Sequence, residues 1–496
     1  IFTGKNPGFD IAIANPPYLR QELIDEAFAE FNLLTTKKLL IKLYDEILKS
    51  RISGQSDLYL FFFFRYYMLT KSSYGISCSI CSNSWLDVSY GKELQLQVAK
   101  NSTIRFILEN QSVKSFENAD INTTLNLFLN RGNAEDCCAL FIVISKFNEK
   151  INYNIQKVDV NSPEEARYLT IENKHLIQDI ENDLETGKWG AQYLKSPDFF
   201  IDLIKLHKDC FVKISDIAEL KRGITTGNNS FFIISRRRLE GLNIDERYLA
   251  PVLSTMRDCS AIFVQENELS NCIFVCADSQ DYLMRNGFNS TLNYINEFSS
   301  TTMTKKGKHT KEGMVSVESS TLKARNQWWT LNDSKGGDAV IPRLIRERFF
   351  ILDYESERIR SSDMFFDICF KDEKNKEILV ALLNSIFTYM NIEILGRLNV
   401  GGRLNIYGPE IKRLKIPNPH FFMGEVGTHL LQVFEPVKCR PVRPILEELK
   451  MPDRIMFDMY VLTVLGIDRF YDDLISFFST SVLKRLGRER NIEIIE

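Results

Sequence analysis

The sequence predicts an α/β fold: an open sheet over residues 1–147, then an α+β region, then a helical tail. Three observations carry that prediction. Apolar strand-like runs alternate with helical stretches through the first 147 residues, the pattern of a sheet whose strands are joined by helices. From about residue 191 to 420 that regularity stops, and short strands, glycine turns and small helices mix. The last stretch, 421–496, reads as helical, with Pro441, Pro444 and Pro452 punctuating its entry.

The elements follow in order. FDIAIAN (9–15) is a continuous apolar run, which predicts a parallel strand covered on both faces. Residues 21–50 are mostly polar and helical. SDLYLFFFFRYYMLTKS, from Ser56, predicts a helix that passes from amphipathic to buried. GISCSICS predicts a second strand, followed by a helix from about Gly91 to Lys100. IRFILENQ, TLNLFLNRG and CALFIVISKF predict three more strands. Residues 148–190 are polar and acidic and are expected to form a connection or small subdomain.

Bulk properties narrow the class. The chain has 496 residues, 44% hydrophobic and 26% charged, and a net charge of −3. Any basic surface is therefore local; residues 302–348 carry ten Lys or Arg against five Asp or Glu. Ten scattered cysteines fit a reducing cytoplasm better than a disulfide framework. Cys78 and Cys81, a lone CxxC, sit among alternating apolar residues and read as small core residues, not a metal or redox site. The longest apolar run, Leu58–Phe64, breaks at Arg65 and is too short to span a bilayer. No signal peptide is expected, and the sequence opens at Ile1 without a methionine. The expectation is a chain whose upstream part is missing.

The chemistry is expected where the first strand ends, in NPPY. The exocyclic amine of a nucleobase is a poor nucleophile, because its lone pair is delocalised into the ring. A protein helps by accepting both amino hydrogens in fixed directions. The Asn15 side-chain carbonyl supplies one acceptor and the Pro16 backbone carbonyl the other. Pro16 and Pro17 stiffen the segment, so the acceptors are preorganised. Tyr18 offers a π face for stacking on the base. Open α/β sheets bind ligands beyond the carboxyl ends of their strands, which is where NPPY falls.

With these residues in place, the sequence resembles the gamma-class DNA adenine-N6 methyltransferases, and more closely the Eco57I-like and TaqI-like enzymes of restriction–modification systems. The similarity runs in order along nearly the whole chain. NPPY matches the catalytic motif, and DLY, Asp57 to Tyr59, opens the helix that borders the cofactor and target pocket. SNSWLDVSYGKELQ, from Ser82, and SFENADINTTLNLF, from Ser115, match two further segments. The second implies that Phe116 stacks with Tyr18 on an extruded adenine, since a base inside a duplex cannot reach such a pocket. ISDIAELKRGITTGNNSFF, IPRLIRERFFI, NSIFTYMNI and GGRLNIYGPEIKRLKIPNP are similar to the family's target-recognition domain. Candidate DNA contacts there are Lys221, Arg222, Thr225, Thr226, Arg343, Arg346 and Arg403, with Gly223 and Gly227 permitting tight turns. MPDRIMFDMYVLTVLGI is similar to the C-terminal helical segment.

The resemblance implies the C-terminal half of a Rossmann-like methyltransferase sheet (1–147), a connection (148–190), an α+β target-recognition domain (191–420) and a C-terminal helical segment (421–496). It implies S-adenosyl-L-methionine as cofactor, double-stranded DNA as partner, no metal and no membrane, with a restriction nuclease expected upstream or in trans. The family's glycine-rich turn and ribose-binding acid precede NPPY and are expected to be absent from this chain. KSPDFFIDLIKLHK has a PD but no E-x-K strand after it, so cleavage is not expected. Two alternatives stay open: a DNA-binding specificity fragment without transfer, and a methyltransferase acting on release-factor glutamine or RNA. The latter seldom carry so long a segment after the catalytic part.

Overall fold

The computed structural model describes residues 6–31, 35–110, 122–130, 137–144, 166–182, 189–299, 317, 320–331, 336–398 and 402–493. The chain divides into two compact units, Ile1–Ile201 and Asp202–Glu496.

The first unit is built on a six-stranded sheet. Its strands are β1 (Ile11–Ala14), β2 (Ile76–Ser82), β3 (Ser102–Asn110), β4 (Thr123–Asn130), β5 (Cys138–Ile144) and β6 (Ala166–Glu172), in the spatial order β1-β2-β4-β3-β5-β6. Pairs β1–β2 and β3–β5 are parallel, and the other three are antiparallel. The sheet is therefore mixed. It also runs into the stretch expected to be a connection: β6 pairs with β5 from Cys138↔Glu172 to Ile144↔Ala166.

Helices α1 (Ile24–Glu30), α2 (Lys37–Leu48), α3 (Leu58–Leu69), α4 (Lys92–Asn101) and α5 (Asn173–Asn182) complete the first unit. The phenylalanine run of α3 is apolar on nearly every side because the helix lies between layers. Phe63 meets Phe128 of the sheet and Trp85 at ring distances of 5.4 and 5.5 Å. On its other side Phe61 and Phe64 meet Tyr44 of α2. Burying one such ring stabilises by about 1.5–3 kcal/mol. Cys81 is fully buried on β2 beside α3, as its position in an alternating run predicts.

One expectation fails here. Ala12 and Ala14 pack against the core, but Ile11 and Ile13 on the opposite face of β1 are 57% and 81% exposed, so among the described residues only one face is covered.

The second unit carries several small sheets. The largest has five strands, Phe263–Val264, Leu352–Tyr354, Ala339–Pro342, Phe365–Phe370 and Ala218–Arg222, in that spatial order. A three-stranded sheet joins Leu344–Ile345, Leu404–Asn405 and Arg397–Leu398. Helices Lys376–Leu383, Ile386–Leu395, Glu425–Cys439, Pro452–Val464 and Tyr471–Glu493 follow or interleave. Among the described residues no single helix is long and apolar enough to cross a membrane.

Candidate active site and recognition surface

In the first unit β1 delivers the NPPY corner at its carboxyl end. Asn15 and Pro17 are exposed, Pro16 is buried and Tyr18 is half-buried. Neither the Asn15 amide nor the Pro16 carbonyl has a hydrogen-bond partner among the described residues. Neither acceptor is claimed by another described group; the Asn15 side chain is exposed, and the buried Pro16 anchors the segment. The Tyr18 hydroxyl donates to the Ile80 carbonyl on β2 at 3.2 Å. Burial pushes that phenol up to about 12, with Cys81 adding to it. Tyr18 stays neutral at physiological pH, and its ring is held by its own hydroxyl.

The segment after the corner is held by residues whose role was not apparent in the sequence. The Gln21 backbone N–H donates to Asp57 Oδ1 at 2.8 Å, and the Tyr90 hydroxyl donates to Asp57 Oδ2 at 2.9 Å. Tyr59 and Tyr90 hydroxyls lie 3.2 Å apart. The Leu58 N–H donates to the Leu19 carbonyl, so both residues that open α3 grip the chain just beyond NPPY. Lys37 is buried, and its ammonium donates to the Gln21 side chain and carbonyl at 2.6 and 3.3 Å. Burial draws its pKa below the usual lysine value, against the pull of Asp57, Glu22 and Asp25. The DLY and YG segments are thus the mount of the corner. Gly91 is required there, because a Cβ would fall 1.9 Å from the Trp85 carbonyl oxygen.

β2 and β3 end at the same rim. Asn83 donates to Glu109 at 2.8 Å, and its N–H to the Asn122 carbonyl. Phe116, expected to be the second stacking ring, belongs to 111–121, outside the described residues.

The second unit brings together most of the candidate DNA contacts. Arg222 pairs opposite Phe366, and Ile341 pairs with the same residue from the other side. The Gly223 N–H donates to the Phe365 carbonyl and the Arg343 N–H to the Met364 carbonyl. Arg222 and Arg343 therefore flank the start of one strand, roughly 10 Å apart at two strand spacings. Ile345 pairs with Leu404, so the next residues outward, Arg346 and Arg403, sit at one end of that short ladder, and both are exposed. Lys221 and Thr225 are exposed as well. Thr226 is the exception. It is buried and its hydroxyl donates to Asn229 Oδ1, so it is not the phosphate donor expected of it. A short turn closing on Asn229 claims the hydroxyl. Gly227 adopts φ +74°, as its place in that turn demands.

Among the described residues no group of three or more His, Cys, Asp or Glu could hold a metal. Asp57 is engaged by the Gln21 N–H and the Tyr90 hydroxyl.

Comparison with known proteins completes the picture. Residues 186–451, more than half of the chain, match the type II methyltransferase M.Eco57I C-terminal domain, and residues 1–116 match the Eco57I restriction-modification methylase family. The type II methyltransferase M.AccI of Acinetobacter calcoaceticus is 26% identical over 275 residues, 52% of this chain and 43% of that protein. The type II restriction enzyme and methyltransferase RM.Eco57I of Escherichia coli is 25% identical over 234 residues, 47% of this chain and 20% of that protein. The matched regions thus span less than half of either relative's length. The type IIL restriction-modification enzyme MmeI, solved in complex with DNA, shares the fold over 96% of this chain and 57% of its own, with a TM-score of 0.54 and 11% identity. The chain belongs to the type II restriction-modification methyltransferases of the Eco57I type.

Proposed function

We propose that the first unit carries the target-base site, and the second the DNA-recognition surface, of a site-specific DNA methyltransferase acting on the N6 amine of an extruded adenine. The observation that carries this reading is the pair of acceptors, Asn15 Oδ1 and the Pro16 carbonyl, neither hydrogen-bonded among the described residues, on a proline-stiffened corner at the rim of the sheet. The two acceptors take the two amino hydrogens. The nitrogen then becomes more tetrahedral, and its lone pair turns toward the methyl donor. Tyr18 stacks on the ring, its hydroxyl pinned to Ile80. An adenine must leave the duplex to reach this corner, at a cost of a few kcal/mol. S-adenosylmethionine is the methyl donor proposed for this class. Cytoplasmic action on double-stranded DNA, with a restriction nuclease in cis or in trans, belongs to the same reading.

The test is Asn15→Ala in the protein expressed from its natural gene. Methyl transfer to duplex DNA should fall by about 10²–10³, the usual cost of losing one preorganised polar partner of a reacting group. DNA binding should survive. Loss of both, or of neither, would overturn the assignment.

A second reading is recognition of DNA without transfer by this chain alone. Calorimetric titration with S-adenosylmethionine separates the two. Micromolar binding removes the second reading; absence of binding favours it.

A further inference from the structure

A cavity of about 540 Å³ opens in the second unit between the loop from Arg222 to Thr225 and the loop from Ala324 to Leu331. We infer that this cavity seats a phosphodiester group of DNA, with Arg325 supplying the central positive charge. The inference rests on the DNA-recognition reading and adds a site to it.

The guanidinium of Arg325 donates to the carbonyls of Thr226 at 2.7 Å, Thr225 at 3.2 Å and Trp328 at 3.4 Å. It lies 5.1 Å from the Phe232 ring centroid. Every one of these partners is neutral, and among the described residues no carboxylate pairs with it. Three hydrogen bonds leave two of the five donors of a guanidinium unspent. Burial draws its pKa down, the expected direction for a cation short of compensating charge. An anion entering the cavity would supply that charge, and in a partly desolvated site the gain exceeds that of a surface pair.

The lining favours a phosphodiester over a lone small anion. Thr225, Asn326 and Thr330 add neutral polar groups, and Arg222 stands on the rim. Arg222 is half-exposed and pairs with Asp363 at 3.2 Å, a contact weak enough to exchange. The same rim leads to Arg343 across the start of the Phe365–Phe370 strand. A single ion would use one of these cations, whereas a nucleic-acid backbone passes along all of them.

The wall is also rigid. The Gly223 N–H binds the Phe365 carbonyl, and the Ile224 N–H binds the Ser361 carbonyl at 2.8 Å. A Cβ at Gly223 would sit 2.1 Å from the Ser362 carbonyl oxygen, so the loop is pressed onto the sheet. Arg325 clamps the same loop from the other side. The cavity keeps its shape without a ligand, which lowers the ordering cost of binding.

The experiment measures binding of the whole chain to a fluorescein-labelled duplex of pooled random sequence by anisotropy, across a salt series. Arg325→Gln removes the charge. Ala324→Glu leaves the clamp intact and sets a carboxylate in the wall. Each should weaken binding about tenfold at low salt and lower the slope of log affinity against log salt by roughly one unit. If Arg325→Gln unfolds the loop, Ala324→Glu still decides. Parental affinity and slope in Ala324→Glu would overturn the cavity assignment while leaving DNA recognition standing. A parent chain that binds no duplex at all would overturn both.

Discussion

Beneath helix α3 the first unit buries neutral polar groups: Ser77 and Ser79 on β2, and Thr124, Asn126 and Asn130 on β4. Asn126 donates to the Thr124 and Ser79 carbonyls, Trp85 donates to the Thr124 hydroxyl, and Asn130 reaches Thr70. The first unit also buries Lys37, Asp87 and Glu109, but the more deeply buried ion pairs lie in the second. Arg454 and Asp458 pair at 2.7 Å with both side chains 1% exposed, Arg485 pairs with Glu393, and Arg440 joins Glu448 and Asp453. Neutral hydrogen bonds suit a sheet and a helix already packed by aromatic rings. Arg485–Glu393 and the Arg440 cluster tie separate segments together, whereas Arg454–Asp458 lies within one helix; in each, a charge stripped of its partner is very costly. The second unit should accordingly be the more brittle toward single substitutions and the more sensitive to pH.

The largest test is Arg454→Ala. Asp458 would stay buried, still accepting the Ile386 N–H at 2.8 Å, but without its guanidinium. The loss should be about 3–5 kcal/mol. A lowered urea midpoint, with accelerated hydrogen exchange confined to second-unit peptides, is the expected readout. Joint replacement of Arg454 by Met and Asp458 by Leu should restore most of it, as expected of a pair held by mutual need.

Next is Asp367, buried in the Phe365–Phe370 strand and hydrogen-bonded by Ser361 at 2.8 Å. Burial pushes its carboxyl up to about 6 from an ordinary value of 3.8. The folded state therefore binds the extra proton between those values. Its contribution to stability is largest at the acid end and is lost as pH rises through about 6. Asp367→Asn should abolish that slope and raise stability at neutral pH by about 2 kcal/mol. Urea midpoints of parent and variant at pH 5 and pH 7.5 give the difference directly. The Arg440 guanidinium holds Asp453 below its usual value, so that carboxylate adds stability above about 3.8 that is lost as pH falls further. Subtracting variant from parent cancels its contribution.

In the first unit, Asp57→Ala should cost about 1–3 kcal/mol, the range for stranding polar partners. Its distinctive mark is faster exchange of the Gln21 amide than of the α3 amides, since Asp57 holds the chain after NPPY. Smallest is Ile13→Thr. On an 81% exposed position it should shift stability by no more than about 0.5 kcal/mol. A loss of several kcal/mol would mean that the outer face of β1 is core after all, and the contrast between the units would weaken.

How much of this could be read beforehand differs residue by residue. The strands of the sheet were legible as apolar runs, and the α3 helix as a phenylalanine-rich stretch between turns. β6 was not: ARYLTIE lies in a polar stretch and gains its strand character from pairing with β5. Covered and exposed faces of β1 look the same in sequence, because coverage is set by whichever element lies alongside. At the site, NPPY stood out because all four residues are adjacent. Asp57 and Lys37 reach Gln21, and Tyr90 reaches Asp57, only after the chain has folded. Thr225 and Thr226 are neighbours of one type, yet one faces solvent and the other is spent within its turn.

The order of residues alone determined the local chemistry here: a strand ending in an amide and two prolines, glycines where the backbone must turn, and the family to which the chain belongs. Those follow from short-range sterics and from side-chain identity, which need no partner. Tertiary structure decided which charges are buried in pairs, which cation is left beside a cavity, and which apolar strand faces water. Those depend on the distance between residues far apart in the chain, and electrostatic and hydrophobic energies are set by that distance and by the water that remains.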